Sequence, residues 1–348
     1  MPGRPGSEKV ERVTAVLAGR RPDRPPVGFW YHFDRHRPYG PEAVRAHLDH
    51  LGTYDLDFLK VMNDNGYPHP GVVHSVADLA TLPVLNGDEP EFARQLELIE
   101  TLAKEVRGKV LITSTVFNAW ATLRRLVKPR FHGAPPLMRA SADEASIILS
   151  RFLAHDHDVL ARALETIGES LARFARRCLE AGADGIFLSV RDDWVDTPTN
   201  GPGTYREIVR PTDLQILEAA TAGRFNLLHV CGCAVNFESF AAYPVHALNW
   251  ADRAAGPAIA EVRDRVKPAL CSGVDNLGVL VEGTPEQCAA QVRDAIAQAG
   301  DRPIMIAPGC TFDPARVPRE NLAAVCQAAR SAYPEKTCGT GFPAGPTF

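Results

Sequence analysis

Short apolar runs separated by longer stretches of helical periodicity constrain this chain more than any other feature. Candidate strands cover residues 27–33, 56–62, 110–115, 186–190, 226–230, 247–250, 269–272 and 304–307. Brief apolar runs bounded by turn signals read as buried strands, and the helical patterns between them read as crossovers in a parallel sheet. Residues 160–181 carry apolar side chains at 160, 164, 167, 171, 174 and 178, the spacing of one helix face. Helical patterns also cover 41–51, 284–299 with Pro285 at the first helical position, and 318–332. Eight such units fit a closed (β/α)8 TIM barrel better than an open sheet. Segments 70–107 and 127–150 read as inserted helical segments over the C-terminal mouth of that barrel. No low-complexity linker or repeat divides residues 9–335, so one barrel domain is expected. Residues 1–8 and 336–348, rich in Gly, Pro and polar side chains, are expected to be flexible ends.

Composition narrows the classes of partner. Hydrophobic residues make up 45% of the 348 and charged residues 23%, the balance of an ordinary soluble globular protein. A formal net charge of -4 offers no general attraction to nucleic acid or to anionic lipid. No run approaches the roughly 18–20 apolar residues needed to cross a bilayer. The opening MPGRPGSEKVERV lacks the apolar core of a secretory signal, so a cytoplasmic protein is expected. In that compartment eight cysteines are thiols, ligands or core residues rather than a disulfide framework. Cys178, Cys288 and Cys326 fall on apolar helix stripes and Cys271 lies inside a strand, so all four read as core; Cys338 lies in the tail.

In a barrel the positions just past each strand converge on one face, where chemistry is usually found. Here those positions carry His32, Asp64, Asn118, Arg191, Asp192, Asp193, His229, Cys231, Asn249, Asp252, Asp275 and Cys310, a set too polar for a purely structural rim. The sharpest motif is NLLHVCGC, in which His229 and Cys231 are two apart and share one side of an extended backbone. An imidazole and a soft thiolate make half of a tetrahedral zinc site, and Cys310 in APGCTF is the candidate third ligand. Cys233 is an alternative or additional ligand. A catalytic zinc keeps one exchangeable position, for which Asp252 is the candidate resting ligand. A metal held by two thiolates and an imidazole still favours loss of a proton from a bound thiol, which suits alkyl transfer to sulfur. Asp64 and His32 are candidates for substrate binding or proton transfer, and Arg191 and Asp193 for substrate binding. NDNGYP reads equally as a plain turn, and the charge run RDDW reads more readily as a solvated loop. The glycines of TNGPGTY have neither the spacing nor the lysine of a nucleotide-binding loop, so no nucleotide cofactor is expected.

The segments RPPVGFWYHF, YDLDFLKVMND, HVCG, LNWAD, CSGVDNLGVLVEGTPEQC and APGCTFDPARVPRENLAAV resemble, in order, the uroporphyrinogen decarboxylase superfamily. The resemblance spans almost the whole chain and itself implies a (β/α)8 barrel. Decarboxylases of that superfamily carry an RQAGR-like motif after the first strand; here the place reads YHFDRHRP, although Arg35 and Arg37 are present. Their glycine-histidine-glycine near the end is replaced by Gly309, Cys310 and Thr311. His229, Cys231 and Cys310 instead match the zinc pattern of the methylcobamide:thiol (coenzyme M-type) methyltransferase branch. The glutamate ligand of methionine synthase relatives has no counterpart near Asn249. The resemblance therefore implies a zinc-dependent methyltransferase acting on a small-molecule thiol, with methylcobamide on a separate corrinoid protein as donor. Two other readings remain compatible with the residues: a metal-free lyase acting on a non-porphyrin carboxylate, and a non-catalytic corrinoid- or metal-binding protein.

Overall fold

A computed structural model describes residues 7–69, 71–127 and 144–333. Among these residues seven strands, β1 (Phe58–Val61), β2 (Leu111–Phe117), β3 (Gly185–Val190), β4 (Leu227–Val230), β5 (Ala247–Trp250), β6 (Ala269–Val274) and β7 (Ile304–Pro308), form one parallel sheet in sequence order. The helices of the first half are α1 (Ser7–Leu17), α2 (Gly40–Thr53), α3 (Val76–Leu79), α4 (Pro90–Val106), α5 (Ala119–Val127), α6 (Glu144–His155) and α7 (His157–Glu180). Those of the second half are α8 (Arg210–Ala219), α9 (Ile259–Val262), α10 (Val279–Glu282), α11 (Pro285–Ala299) and α12 (Arg319–Arg330). Local chemistry sets several boundaries. Asp156 caps α7 through the Val159 amide, and Thr284 and Gln287 form a capping box ahead of Pro285 in α11.

The sheet curls, and its two faces feed two separate cores. Phe58, Met62, Leu111, Phe187, Leu227, Ala247, Cys271 and Met305 pack together on the inner face with Trp30 and with Val13 and Val16 of α1. Leu59, Val61, Ile112, Leu188, Leu228, Leu248, Leu270 and Ile306 alternate with them and pack outward against the helices. Side chains two apart along a strand share a face. The same alternation that buries Phe58 and Leu227 inside therefore directs Lys60 and His229 inward.

The eighth expected strand, 27–33, does not form. Its contact with the sheet is a single parallel bridge between Val27 and Ile306. Gly28 donates its amide to Ile306 O at 3.1 Å and Ile306 donates to Pro26 O at 2.8 Å. On the other side Asp57 donates its amide to Val27 O at 2.9 Å. Pro25 and Pro26 have no amide hydrogen, which shortens any ladder that could start there. The segment lies between β7 and the lead into β1, and side chains hold it in place. The fully buried Asp57 carboxylate accepts from Arg12 of α1 at 2.6 Å, from Arg24 at 2.7 Å and from the Val27 amide at 2.8 Å.

Residues 70–107 also differ from expectation. They contain α4, which packs on β2 and against α2 and α7 in the outer helix layer rather than over the mouth. Its side chains Leu98, Ile99 and Leu102 belong to the outer core, so this segment is the crossover between β1 and β2. Of segment 127–150, α6 packs on α5 and α7, and residues 128–143 lie outside the described residues. So do the tail 336–348 and Cys338. Removing one partner from a buried ion pair typically costs about 3–5 kcal/mol because the other charge is stranded. Replacing Asp57 by alanine strands Arg24, whereas Arg12 keeps its two-pronged bond to Asp23, and urea unfolding is expected to show a stability loss at the lower end of that range.

Candidate metal centre

His229 is the third residue of β4 and pairs in register with Asn249 of β5. Cys231 follows one residue past β4, where its amide donates to Val190 O at 2.8 Å and prolongs the ladder. Cys310 lies two residues past β7. One nitrogen of His229 and the two sulfurs fall within 4.8 Å of one another, and the sulfurs are 4.0 Å apart. Tetrahedral zinc with Zn–S near 2.3 Å places two sulfurs about 3.8 Å apart. The donor set thus has both the chemistry and the spacing to hold a soft divalent metal ion. Among the described residues this is the group of histidine, cysteine and carboxylate side chains that converges in this way.

Two glycines let the sulfurs approach. Gly232, at φ 114°, sits so close to Asp193 that a Cβ there would stand 2.7 Å from a carboxylate oxygen. A Cβ on Gly309 would stand 2.6 Å from the Cα of Ala251, so the Cys310 turn lies directly on the end of β5.

The imidazole is oriented by Asn249. Asn249 Nδ2 donates to Cys271 O at 2.7 Å and to Pro308 O at 3.0 Å, both of which can only accept. Its Oδ1 therefore faces His229 Nδ1, 2.6 Å away, and must accept. The proton is on Nδ1, and Nε2 is left with a free lone pair for a metal. The two thiols ionise as a pair. Loss of the first proton is pulled well below the ordinary thiol range at Cys310 by a hydrogen bond from Cys231, against the opposing effect of burial, with Thr311 adding to it. Loss of the second, at Cys231, is pushed well above that range by the same bond and by burial. A divalent cation between the sulfurs would remove that penalty.

The other predicted residues take up different places. Asp252 does not join the group. One of its oxygens accepts from Ser272 Oγ at 2.7 Å and from the Gly273 amide at 3.0 Å, and the other faces Arg253 Nε at 3.2 Å. Cys233 is exposed and likewise outside the group. The RDDW segment is not a solvated loop: Arg191 and Asp193 are a buried, two-pronged ion pair at 2.5 and 2.6 Å, and the Arg191 guanidinium lies 3.8 Å over Trp194. Burial opposes the charge of Arg191, but Asp193 and the thiols of Cys231 and Cys310 outweigh it and keep it cationic. Asp192 accepts from the Asn236 amide, and burial raises its carboxyl to about 6. His32 Nδ1 bonds the Asp64 carboxylate at 2.8 and 3.1 Å. Burial lowers the His32 pKa against the pull of Asp64. Asp64 is itself raised by burial, but His32, Arg35 and Arg125 more than compensate and hold it low.

Residues 32–332 match the family described as uroporphyrinogen decarboxylase (URO-D). The chain belongs to this family. Among solved structures it is similar to a methyltransferase from Methanosarcina mazei, with 18% identity over 92% of this chain and 98% of that one, at a TM-score of 0.69. A B12-independent methionine synthase from Shewanella sp. W3-18-1 is more distant, with 11% identity over 68% of this chain and 66% of that one, at a TM-score of 0.45. No curated protein matches the chain. Two residues of this URO-D family chain carry no motif that marks their roles. Asn249 reads only as a strand-end amide, and Lys60 lies inside β1. The signal for Lys60 was its charge within the apolar run FLKVM.

Partners behind a ligating histidine typically contribute about 10- to 100-fold to metal affinity. Asn249→Ala is expected to weaken metal retention by that factor in competition with a chromophoric chelator, with His229 and both cysteines intact.

Proposed function

We propose that this chain is a zinc-dependent methyltransferase that places a methyl group on the sulfur of a small thiol, taken from a methylated corrinoid carried by a separate protein. The observation that carries the reading is the convergence of His229, Cys231 and Cys310 with the imidazole tautomer set for coordination. Two thiolates and one imidazole in a tetrahedral arrangement favour zinc over oxygen-preferring cations. Three protein ligands leave one position for a substrate. The fold shared with the Methanosarcina methyltransferase supports transfer of a methyl group. The replacement of the decarboxylases' histidine by Cys310 favours it over porphyrinogen chemistry.

When bound, zinc supplies Lewis acidity that favours the thiolate form of a thiol, whose free pKa is near 8.5, at neutral pH. The remaining work belongs to the chain's own side chains. Asn249 keeps the His229 ring fixed. Arg191, clamped by Asp193, adds a permanent positive charge beside the sulfurs. His32, whose Nδ1 is engaged by Asp64, keeps Nε2 available to take the proton that the substrate thiol releases. Because burial lowers its pKa, His32 is neutral and able to accept at pH 7.

The test is methyl transfer from methylcobalamin to a panel of small thiols by the metal-loaded protein. The wild type is expected to form the methyl thioether, and Cys231→Ala or Cys310→Ala to reduce the rate by about a hundredfold or more. His32→Ala is expected to lower turnover by about 10²–10⁴-fold while leaving metal content unchanged. Metal-loaded protein that methylates no thiol on the panel would contradict the proposal.

A further inference from the structure

Lys60 is buried in the interior of the curled sheet with 4% of its surface exposed. Its inward neighbours, Phe58 on β1 and Met62 just past it, belong to the inner core, so the ammonium is placed among apolar groups. Nζ donates to the Met62 sulfur at 2.9 Å, a weak acceptor, and among the described residues no carboxylate stands within ion-pair distance. It also lies over the Phe187 ring, 4.3 Å from the centroid. That same ring stands 5.3 Å from the His229 imidazole, tilted by 31°. A buried ammonium without a paired anion is costly, and such groups persist where something else depends on them. Burial pushes its pKa down to about 7, and the groups that pull it back toward the charged form are Cys310, Asp64 and Cys231. Two of those three are the proposed metal ligands.

We infer that Lys60 is a positioning residue whose ammonium, set behind Phe187 and His229, balances the charge of the metal centre when a substrate thiolate is present. The inference rests on the proposed zinc–thiol reading. A dication, two thiolates and a neutral imidazole sum to zero. A third thiolate makes the assembly anionic in a dry interior, and one buried ammonium restores neutrality. The favourable interaction is therefore larger with thiolate present than with metal alone, and Lys60 acts on thiol affinity rather than on metal retention. The metal-only centre is neutral, so removing the ammonium does not weaken metal uptake. Charges at this range, screened as in a typical protein interior, are worth about tenfold or more in binding.

The test substitutes Lys60→Met, which keeps chain length and removes the charge, and Lys60→Gln as a second neutral variant in case one fails to fold. Lys60→Arg retains the charge. Each protein is loaded with Co2+, and the thiolate-to-cobalt absorbance is titrated with 2-mercaptoethanol, alongside metal content after dialysis. The expected result is unchanged metal content in all variants, affinity for 2-mercaptoethanol about tenfold or more weaker in the neutral variants, and recovery toward wild type in Lys60→Arg. A neutral variant that binds the thiol with wild-type affinity overturns the inference, as does one that loses its metal. Failure of the wild type to take up metal would instead overturn the zinc–thiol reading and this inference with it, so the two failures are distinguishable.

Discussion

One side-chain amide ties the second half of the sheet to its chemistry. Asn249 on β5 accepts from His229 on β4 and donates to Cys271 O on β6 and Pro308 O at the end of β7. Four consecutive strands are thereby held in register by one fully buried residue. Both donated bonds go to groups that can only accept, so the amide cannot be turned over, and the imidazole tautomer follows. The same bond to Pro308 anchors the chain two residues before Cys310. Ligand orientation and ligand position are consequences of a single polar network in which each described Asn249 atom has a partner.

Around that network the interior is arranged to tolerate sulfur anions. Arg191 is kept cationic by a two-pronged bond to Asp193, and Gly232 allows the Cys231 backbone to pass close against that carboxylate. His32 and Asp64 supply a separate hydrogen-bonded pair, with Arg35 4.0 Å from the carboxylate. Lys60 contributes a further positive charge within the inner core. In a medium of low polarisability these fixed charges act over longer distances than they would in water. The positions of cations around the thiols therefore matter more than any direct contact they make.

The parallel sheet was legible in the sequence because strands buried on both faces read as short apolar runs, and those for β5 and β7 appear at almost the same residues in the structure. The first run was misleading. Val27, Phe29 and Trp30 are buried as a strand's residues would be, but two prolines remove donors at its start and Asp57 takes up the Val27 amide. Segment 70–107 reads as an insertion over the mouth, but it holds the long helix α4, whose apolar stripe belongs to the outer layer. H-x-C was legible as a pair of ligands because alternation along a strand places residues two apart on one side. Convergence with Cys310 depends on the curl of the sheet, which no local pattern records. RDDW looks like a solvated loop because a charge run carries no mark of burial, and the role of Asn249 depends on one donor and two acceptors from three other strands.

The most direct test of the account is X-ray absorption at the metal edge of the purified protein. The account predicts zinc coordinated by two sulfurs at about 2.3 Å and by nitrogen or oxygen at about 2.0–2.1 Å, with one sulfur lost in Cys310→Ala. A metal shell made only of nitrogen and oxygen, or a sulfur count unchanged by that substitution, would contradict it.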